Sequence, residues 1–456
     1  PLKALSNEKF KQLQKIYGNE NVGLSTGDRT IHEEATIVVM TTEIYRNMVF
    51  GDKFKEKTRQ LDNLKTIIFD ELHYMGDVDR GSIWEQSIIL SNPKTQLLSL
   101  SATIGNNESI NNWISEIRGQ KGDLINVPSE KRHVPLEFKV ETVRSRYGNN
   151  NSSSSKVKSS PNKISPPDDN SYIEMVDKLH REDKIPAIFF VFSKKQSKNI
   201  LENFKRNGHP LNNKAAQEEV QTIIDRYNKE GKYLGKTLDV EGLKKGYAIH
   251  NAGMLPSQKE LVEELFQKKL VKIVVATGTL AAGINMPART VVLSSTRIPT
   301  EPNSADGPDG KRNITVNEFH QMGGRAGRRG IDIKGYVYAM ATCSDQVGQI
   351  RKLINASPDP IKSHFDPDYS FIANYFSYSQ DEKVIKELLS ESFQAYDVNP
   401  EKAEKKSADL LRVFNEKKET LQLMGYLNKN NTLTSRGELL SKLNGYQQIP
   451  IVDMIY

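Results

Sequence analysis

The chain has 456 residues, 37% of them apolar and 27% charged, with a formal net charge of +7. That length exceeds one ordinary domain and suggests about three, while no apolar run approaches the ~18 residues a membrane-spanning helix needs, so no membrane partner is expected. Cys343 is the only cysteine, which excludes an internal disulfide and a multi-cysteine zinc site and points to an intracellular, reducing compartment, with cytoplasm, nucleus and organelle all open. A charge of +7 permits a nucleic-acid partner without demanding one.

Short runs rich in β-branched residues recur along the chain at Thr36–Met40, Thr66–Phe69, Gln96–Leu100, Ala187–Phe192, Lys272–Ala276, Thr290–Leu293 and Tyr336–Met340. Each is strand length and continuous rather than alternating, the pattern of strands buried on both faces of a parallel sheet. Amphipathic stretches such as Ile173–His180, Ser197–Arg206 and Ser257–Gln267 lie between them. Strand alternating with helix predicts an α/β fold class.

The stretch Tyr147–Asn170 is nearly devoid of apolar residues and reads as a disordered linker. Pro299–Asn313 holds three prolines and reads as a loop or hairpin. Past about residue 346 the strands stop. Asp381–Phe393 and Glu401–Met424 have helical spacing, and the turn residues that follow suggest a small winged helix. The expected division is a first lobe over 1–140, a linker over 141–171, a second lobe over 172–345, and an incomplete helical and winged-helix region over 346–456. The chain opens on Pro1 and stops in mid-pattern at Tyr456, and we expect it to be part of a longer protein.

Ligands of doubly wound sheets bind beyond strand ends, so the residues after each apolar run carry the chemistry. Asp70 and Glu71 directly follow Thr66–Phe69. Paired carboxylates there suit an Mg–nucleotide site, one holding the metal and the next directing the attacking water; a solvated acidic turn is the plainer alternative. Ser101, Ala102 and Thr103 follow Gln96–Leu100, where small hydroxyl residues can shift with a neighbouring site. Thr277–Pro287 is rich in glycine and small residues that let backbone approach a phosphate chain. In Gln321–Gly330 three arginines fall within five positions, and Arg325 and Arg328 lie three apart, so on a helical turn they would point the same way. Two guanidiniums aimed at one spot repel unless an anion lies between them, and a transferring phosphoryl group is such an anion. A basic patch touching a nucleic-acid backbone is the alternative.

These pieces, in this order, resemble the motif series of superfamily 2 helicases. Asp70–His73 (DELH) looks like the DExH box, Ser101–Thr103 (SAT) like motif III, Ala276–Pro287 like motif V and Gln321–Gly330 like motif VI. Pro1–Phe10 is similar to motif Ia, Ser25–Asp28 and Thr41–Met48 to strand-gripping motifs, and Val191–Lys195 to motif IV. His250–Pro256 (HNAGMLP) and the RGxxWE pattern at Arg80–Glu85 resemble signatures of the superkiller-type, exosome-assisting RNA helicases. The resemblance implies two RecA-like lobes that use ATP and Mg²⁺ and grip one strand of RNA.

By that resemblance Asp70 would bind Mg²⁺ and Glu71 would activate water, with His73, Ser101, Ala102 and Thr103 coupling nucleotide to strand. Gly283 and Asn285 would touch ATP, and Gln321, Arg325 and Arg328 would reach its phosphates. Pro1, Thr26, Gly27, Thr42, Glu43, Arg46, Ser193, His250, Gly253 and Thr277 would contact the strand, without reading its sequence. Arg297–Val316 lies where relatives carry a strand-separating hairpin. The implied activity is an ATP-dependent RNA helicase moving 3′ to 5′ on single-stranded or 3′-tailed RNA, in RNA processing or decay, with RNA-degradation or RNA-processing proteins as partners. A DNA helicase on the same scaffold and a non-catalytic nucleic-acid-binding scaffold remain alternatives. The phosphate loop that should precede motif Ia is not in the sequence; Gly231–Thr237 ends in GKT but has the wrong spacing and follows no strand, so it reads as a lysine-rich surface turn. Residues 1–456 alone are therefore expected to hydrolyse ATP poorly.

Overall fold

A computed structural model describes residues 3–27, 29–54, 61, 63–78, 80–102, 104–128, 131–146, 166–280, 286–300, 310–396, 399–443 and 448–456. The chain forms two compact units, one of residues 1–125 with 359–456 and the other of residues 126–358. Among the described residues no helix is long and apolar enough to cross a membrane.

In the first unit, β1 (Val22–Thr26) lies between β2 (Arg29–Ile31), antiparallel to it, and β3 (Ile37–Met40), parallel to it with Val22 opposite Ile37. The helix Lys3–Tyr17 covers this sheet, and Phe10 meets Val22 and Leu24 in a small core. β4 (Thr66–Phe69) and β5 (Gln96–Ser99) pair in parallel, Thr66 opposite Gln96. Their runs were expected to be buried on both faces. Instead Ile67 and Phe69 point inward while Ile68 is 60% and Leu98 45% exposed, because the described helices cover one face only. On that face Phe69 packs edge-on against Tyr45 and tilted against Trp84, each at 5.7 Å between ring centroids.

The C-terminal segment closes the same core. Phe371 and Tyr378 pack on Phe50, and Phe393 on Trp113. The Trp113 indole donates to the Glu391 carbonyl at 2.7 Å, and Asn106 exchanges two hydrogen bonds with Ile361. The expected separate region over 346–456 is thus divided: the helix Ser344–Asn355 belongs to the second unit, and 359–456 to the first. Burying each large apolar side chain contributes about 1.5–3 kcal/mol, which favours this fusion over a free-standing helical tail. The long helix Pro400–Leu423 turns at Gly425 (φ 74°), makes one bridge between Leu427 and Leu433, and re-enters helix at Ser435–Lys442. A Cβ at Gly437 would fall 2.2 Å from the Tyr426 carbonyl, so only glycine lets this helix sit so close.

The second unit is a six-stranded parallel sheet. β6 (Leu136–Thr142), β7 (Ala187–Phe190), β8 (Tyr247–His250), β9 (Ile273–Ala276), β10 (Thr290–Leu293) and β13 (Gly335–Ala341) run in the order β6-β13-β10-β7-β9-β8. β11 (Arg297–Pro299) and β12 (Lys311–Asn313) form a separate antiparallel hairpin. β7, β9 and β10 are buried along their whole length, as continuous apolar runs require. The helices Asp169–Arg181 and Lys194–Asn207 cover one face, and Lys214–Lys229, Pro256–Gln267 and Val316–Gly323 contribute to the core on the other.

β6 shifts the expected boundary. Residues 136–140 were assigned to the first lobe and 141–171 to a linker, yet Leu136–Thr142 pairs with all seven residues of β13. The flanks of the polar stretch are also ordered: Arg146 N–H donates to the Pro166 carbonyl, and Asp168 N–H to that of Arg144, both at 3.0 Å. Asp168 then caps the helix Asp169–Arg181 by accepting from Ser171 N–H. Residues 147–165, the middle of the expected linker, lie outside the described residues. The GKT turn joins the helices Lys214–Lys229 and Val240–Lys245, with Lys232 4.3 Å above the Tyr227 ring and paired with Glu230 and Glu260.

Candidate nucleotide and nucleic-acid sites

In the first unit β4 delivers Asp70 and Glu71 to the end of its sheet. The loop is zipped to its neighbour: Leu72 N–H donates to the Leu100 carbonyl and Leu100 N–H to the Phe69 carbonyl, both at 2.8 Å. Glu71 adopts the left-handed conformation (φ 64°, ψ 46°) and so reverses the chain into the single tight turn Leu72–Gly76. A non-glycine residue held there costs of order 1–3 kcal/mol and such positions cluster at functional sites. The turn brings His73 Nδ1 to 3.4 Å from Glu71 Oε2, and Ala102 N–H points at the same nitrogen over a long 3.4 Å. Burial lowers the His73 pKa, against the opposing pull of Glu71 and Asp70; protonated, Nδ1 can donate to Glu71, and unprotonated it can accept from Ala102, one at a time. His73 therefore lies between the half-buried carboxylate turn and the exposed Ser101–Ala102 loop. Thr103 lies outside the described residues.

Among the described residues no hydrogen bond or ion pair engages the Asp70 carboxylate, and no group of three His, Cys, Asp or Glu could hold a metal ion. That donor set suits Mg²⁺, which is bound through one or two carboxylates together with substrate phosphates rather than in a protein cage.

The strand-contact candidates of this unit divide. Gly27 is exposed, but Thr26 and Thr42 are buried, and Thr26 Oγ1 donates to the Arg29 carbonyl at 3.2 Å. Glu43 grips Arg80 through Nε at 2.8 Å and Nη2 at 2.6 Å. Arg46, expected on the strand, is an interior residue, 4% exposed. Burial lowers its pKa against the raising pull of Asp368 and Glu43, and Asp368 in turn caps the helix Tyr369–Tyr378. Pro1 lies outside the described residues.

In the second unit the predicted residues fall at opposite ends of the parallel sheet. Ser193, His250, Gly253 and Thr277 follow the adjacent strands β7, β8 and β9, at their carboxyl ends. Ser193 caps the helix Lys194–Asn207, Thr277 N–H donates to the His250 carbonyl at 3.2 Å, and Gly253 N–H to Asn251 Oδ1 at 3.0 Å. The His250 ring is buried and reaches Glu263 at 3.1 Å, so its ring serves the interior rather than a surface strand contact. Gly283 and Asn285 lie outside the described residues.

The arginine loop occupies the amino ends of the strands, where Ala326 bridges Ala288, just ahead of β10, and Gly335 opens β13. The helix Val316–Gly323 carries half-buried Gln321 and ends before the arginines. Arg325 and Arg328 were expected to share a helical face; they lie instead in a loop that Gly327 (φ 84°) bends, where a Cβ would come within 2.5 Å of Val134. Arg132, unremarked in the sequence, donates to the carbonyls of Gly324 at 2.8 Å and Ala326 at 3.1 Å. Arg328 itself is bound by Asp332. The i,i+4 spacing of these two is the one cue the sequence offered.

Two units, one ending a strand on a carboxylate pair and the other carrying an arginine loop ahead of a parallel sheet, define the RecA-like motor class. The DEAD/DEAH box helicase family matches residues 1–110, and the helicase conserved C-terminal domain matches residues 232–330. The chain is 33% identical over 435 residues to the DExH-box ATP-dependent RNA helicase DExH15, chloroplastic, of Arabidopsis thaliana, covering 83% of this chain and 36% of that protein. It is 34% identical to a probable helicase HelY of Mycobacterium leprae, over 87% of this chain and 46% of the relative. It is 30% identical to the antiviral helicase SKI2 of Saccharomyces cerevisiae, over 86% and 35%. The chain belongs to the superfamily 2 DExH-box helicases of the Ski2 type. It spans less than half the length of these curated relatives.

Proposed function

We propose that the whole protein is an ATP-dependent RNA helicase that moves 3′ to 5′ along single-stranded RNA and separates duplexes during RNA processing or decay, with proteins of that machinery as partners. The observation that carries the reading is the His73 junction, in which one ring meets the carboxylate turn and the Ser101–Ala102 loop. A change at the nucleotide can move that loop through a single side chain. Glu71 would take the proton of the attacking water, and Asp70 would hold Mg²⁺, whose charge would offset that of the phosphates. Arg325 and Arg328 would meet the phosphoryl group, while Ser193, Gly253 and Thr277 lie on loops that can follow an RNA backbone. The likeness to DExH15, an ATP-dependent RNA helicase, favours RNA over DNA.

The test is Glu71→Gln in the full-length protein. ATP binding should persist, and RNA-stimulated turnover should fall by about 10²–10⁴-fold, the range of general-base catalysis. Turnover near wild type would overturn the assignment of Glu71. Comparing single-stranded RNA and DNA at equal salt completes it, since phosphate contacts alone serve either polymer. Stimulation by DNA alone would replace the RNA reading.

A further inference from the structure

Arg328 is gripped side-on. Its Nε–H donates to Asp332 Oδ2 at 2.8 Å and its Nη2 to Oδ1 at 2.7 Å. The same Oδ2 accepts the backbone N–H of Arg328 at 2.9 Å, and Asp332 N–H returns a bond to the Arg328 carbonyl at 2.9 Å. One carboxylate thus fixes the guanidinium relative to its own main chain. The main chain is fixed in turn by the bend at Gly327 against Val134 and Gly335 and by the two bonds from Arg132.

Guanidinium has five N–H donors in a rigid plane. A grip through Nε and Nη2 uses one edge and leaves Nη1 with both its protons, and Arg328 makes no other hydrogen bond to a described residue. Arg328 lines an open cleft of about 440 Å³ shared with Arg289, Lys334 and Tyr336. Asp332 is 4% exposed on its side chain, and Arg289 Nε lies 3.8 Å from its Oδ1. Burial raises the Asp332 pKa, but Arg328 and then Arg289 outweigh it and hold the carboxyl below its usual range. The carboxylate is therefore ionised at neutral pH; of the other cations that line the cleft, Arg289 also pairs with Asp183 at 2.7 Å and Lys334 with Glu137 at 2.8 Å.

We propose that Asp332 is the positioning residue of Arg328: it fixes the guanidinium by one edge and presents the other, already oriented, to a phosphoryl group. This rests on the nucleotide reading of Arg328 given above. A free arginine would have to find its geometry in every cycle, and an interaction made only with the transferring group raises kcat rather than lowering KM.

The experiment measures RNA-stimulated ATPase and melting temperature in the full-length protein for Asp332→Asn, Asp332→Glu, Arg328→Ala and the double variant Arg328→Ala/Asp332→Asn. The asparagine keeps the shape but sets an N–H₂ against the arginine's donors. The glutamate keeps the charge and the fork but moves the guanidinium by about a methylene. Both single changes at 332 should lower kcat by about 10–100-fold with KM for ATP within about twofold, as expected for a displaced transition-state contact. The glutamate variant should melt near wild type. In the Arg328→Ala background Asp332→Asn should cost nothing more in kcat, because Asp332 then has no arginine to place. A full, additive loss in that background, or wild-type kcat in both variants at 332, overturns the positioning role while leaving the function intact. Wild-type turnover in Arg328→Ala overturns both the positioning role and the phosphate assignment of Arg328.

Discussion

Glu85 is fully buried in the helix Gly81–Leu90 and accepts from Ser363 Oγ and from Phe393 N–H at 2.8 Å. Burial pushes its carboxyl up to about 7, against the lowering effect of bonds from Ser363, Phe393 and Gln394. A raised folded pKa means that Glu85 contributes most below its unfolded value near 4.5, and that the contribution is lost as pH rises through about 7. The interval corresponds to about 3 kcal/mol at 1.36 kcal/mol per pKa unit. Urea midpoints between pH 5 and 8 should fall for the wild type and stay nearly flat for Glu85→Gln, which cannot ionise; an unchanged slope in the variant would exclude Glu85 as the cause. The burial of His73 works the other way, since its lowered pKa gives stability that is lost as pH falls, so the two are separable by direction. The sequence named Glu85 within the RGxxWE pattern but not its partners. The same limit applied to Arg46 and His250. Their residue types suit phosphate contacts, and only the fold supplies the Asp368 and Glu263 that claim them.

Elements were legible where burial is two-sided. The runs that became β7, β9, β10 and β13 are continuous because helices cover both faces of that sheet. β6 escaped because LEFKVET alternates: it is an edge strand, and Glu137 on it pairs with Lys139 and Lys334. β1 (VGLST) carries glycine, serine and threonine and β8 (YAIH) ends on histidine, so neither presents a continuous apolar run. The expected hairpin between motifs V and VI has its base at β11 and β12, with Ile298 opposite Arg312. Arg312 forks onto Glu318 at 2.7 and 2.8 Å, and Glu318 also completes the cap of the helix that carries Gln321. Trimming should therefore spare this base. Replacing Glu301–Asp309 with a two-residue glycine-containing turn leaves the Thr300–Gly310 bond and the Arg312–Glu318 fork in place. RNA-stimulated ATPase should stay within about twofold, because no transition-state contact is lost, while duplex separation should fail. Unwinding at the wild-type rate per ATP would rule out this hairpin as the strand separator.

At the scale of the molecule, sequence order misled most, because a segment at one end of the chain completes a core begun at the other. The bonds that join them span 255, 278 and 308 residues, at Asn106–Ile361, Trp113–Glu391 and Glu85–Phe393. No periodicity reports such pairings; the helical spacing of 381–393 and 401–424 was visible, but the apolar stripe carried no address. If 359–456 were an independent module, cutting the chain after Pro358 would leave the first unit intact. The packing argues otherwise. The cut removes the partners of Phe50 and Trp113, exposes a face of Trp84, Tyr45 and Phe69, and leaves the Glu85 carboxyl without its donors and the Trp113 indole without its acceptor. Losing several large buried contacts at about 1.5–3 kcal/mol each is comparable to the whole 5–15 kcal/mol that holds a typical domain folded. The second unit keeps its whole sheet and both helical layers, since 126–358 contains all of them. Limited proteolysis of residues 1–358 should therefore degrade 1–125 rapidly and spare a fragment close to 126–358, whereas 1–456 should protect both. Equal protection of 1–125 in the truncated chain would show that the C-terminal segment merely docks on a core that was already complete.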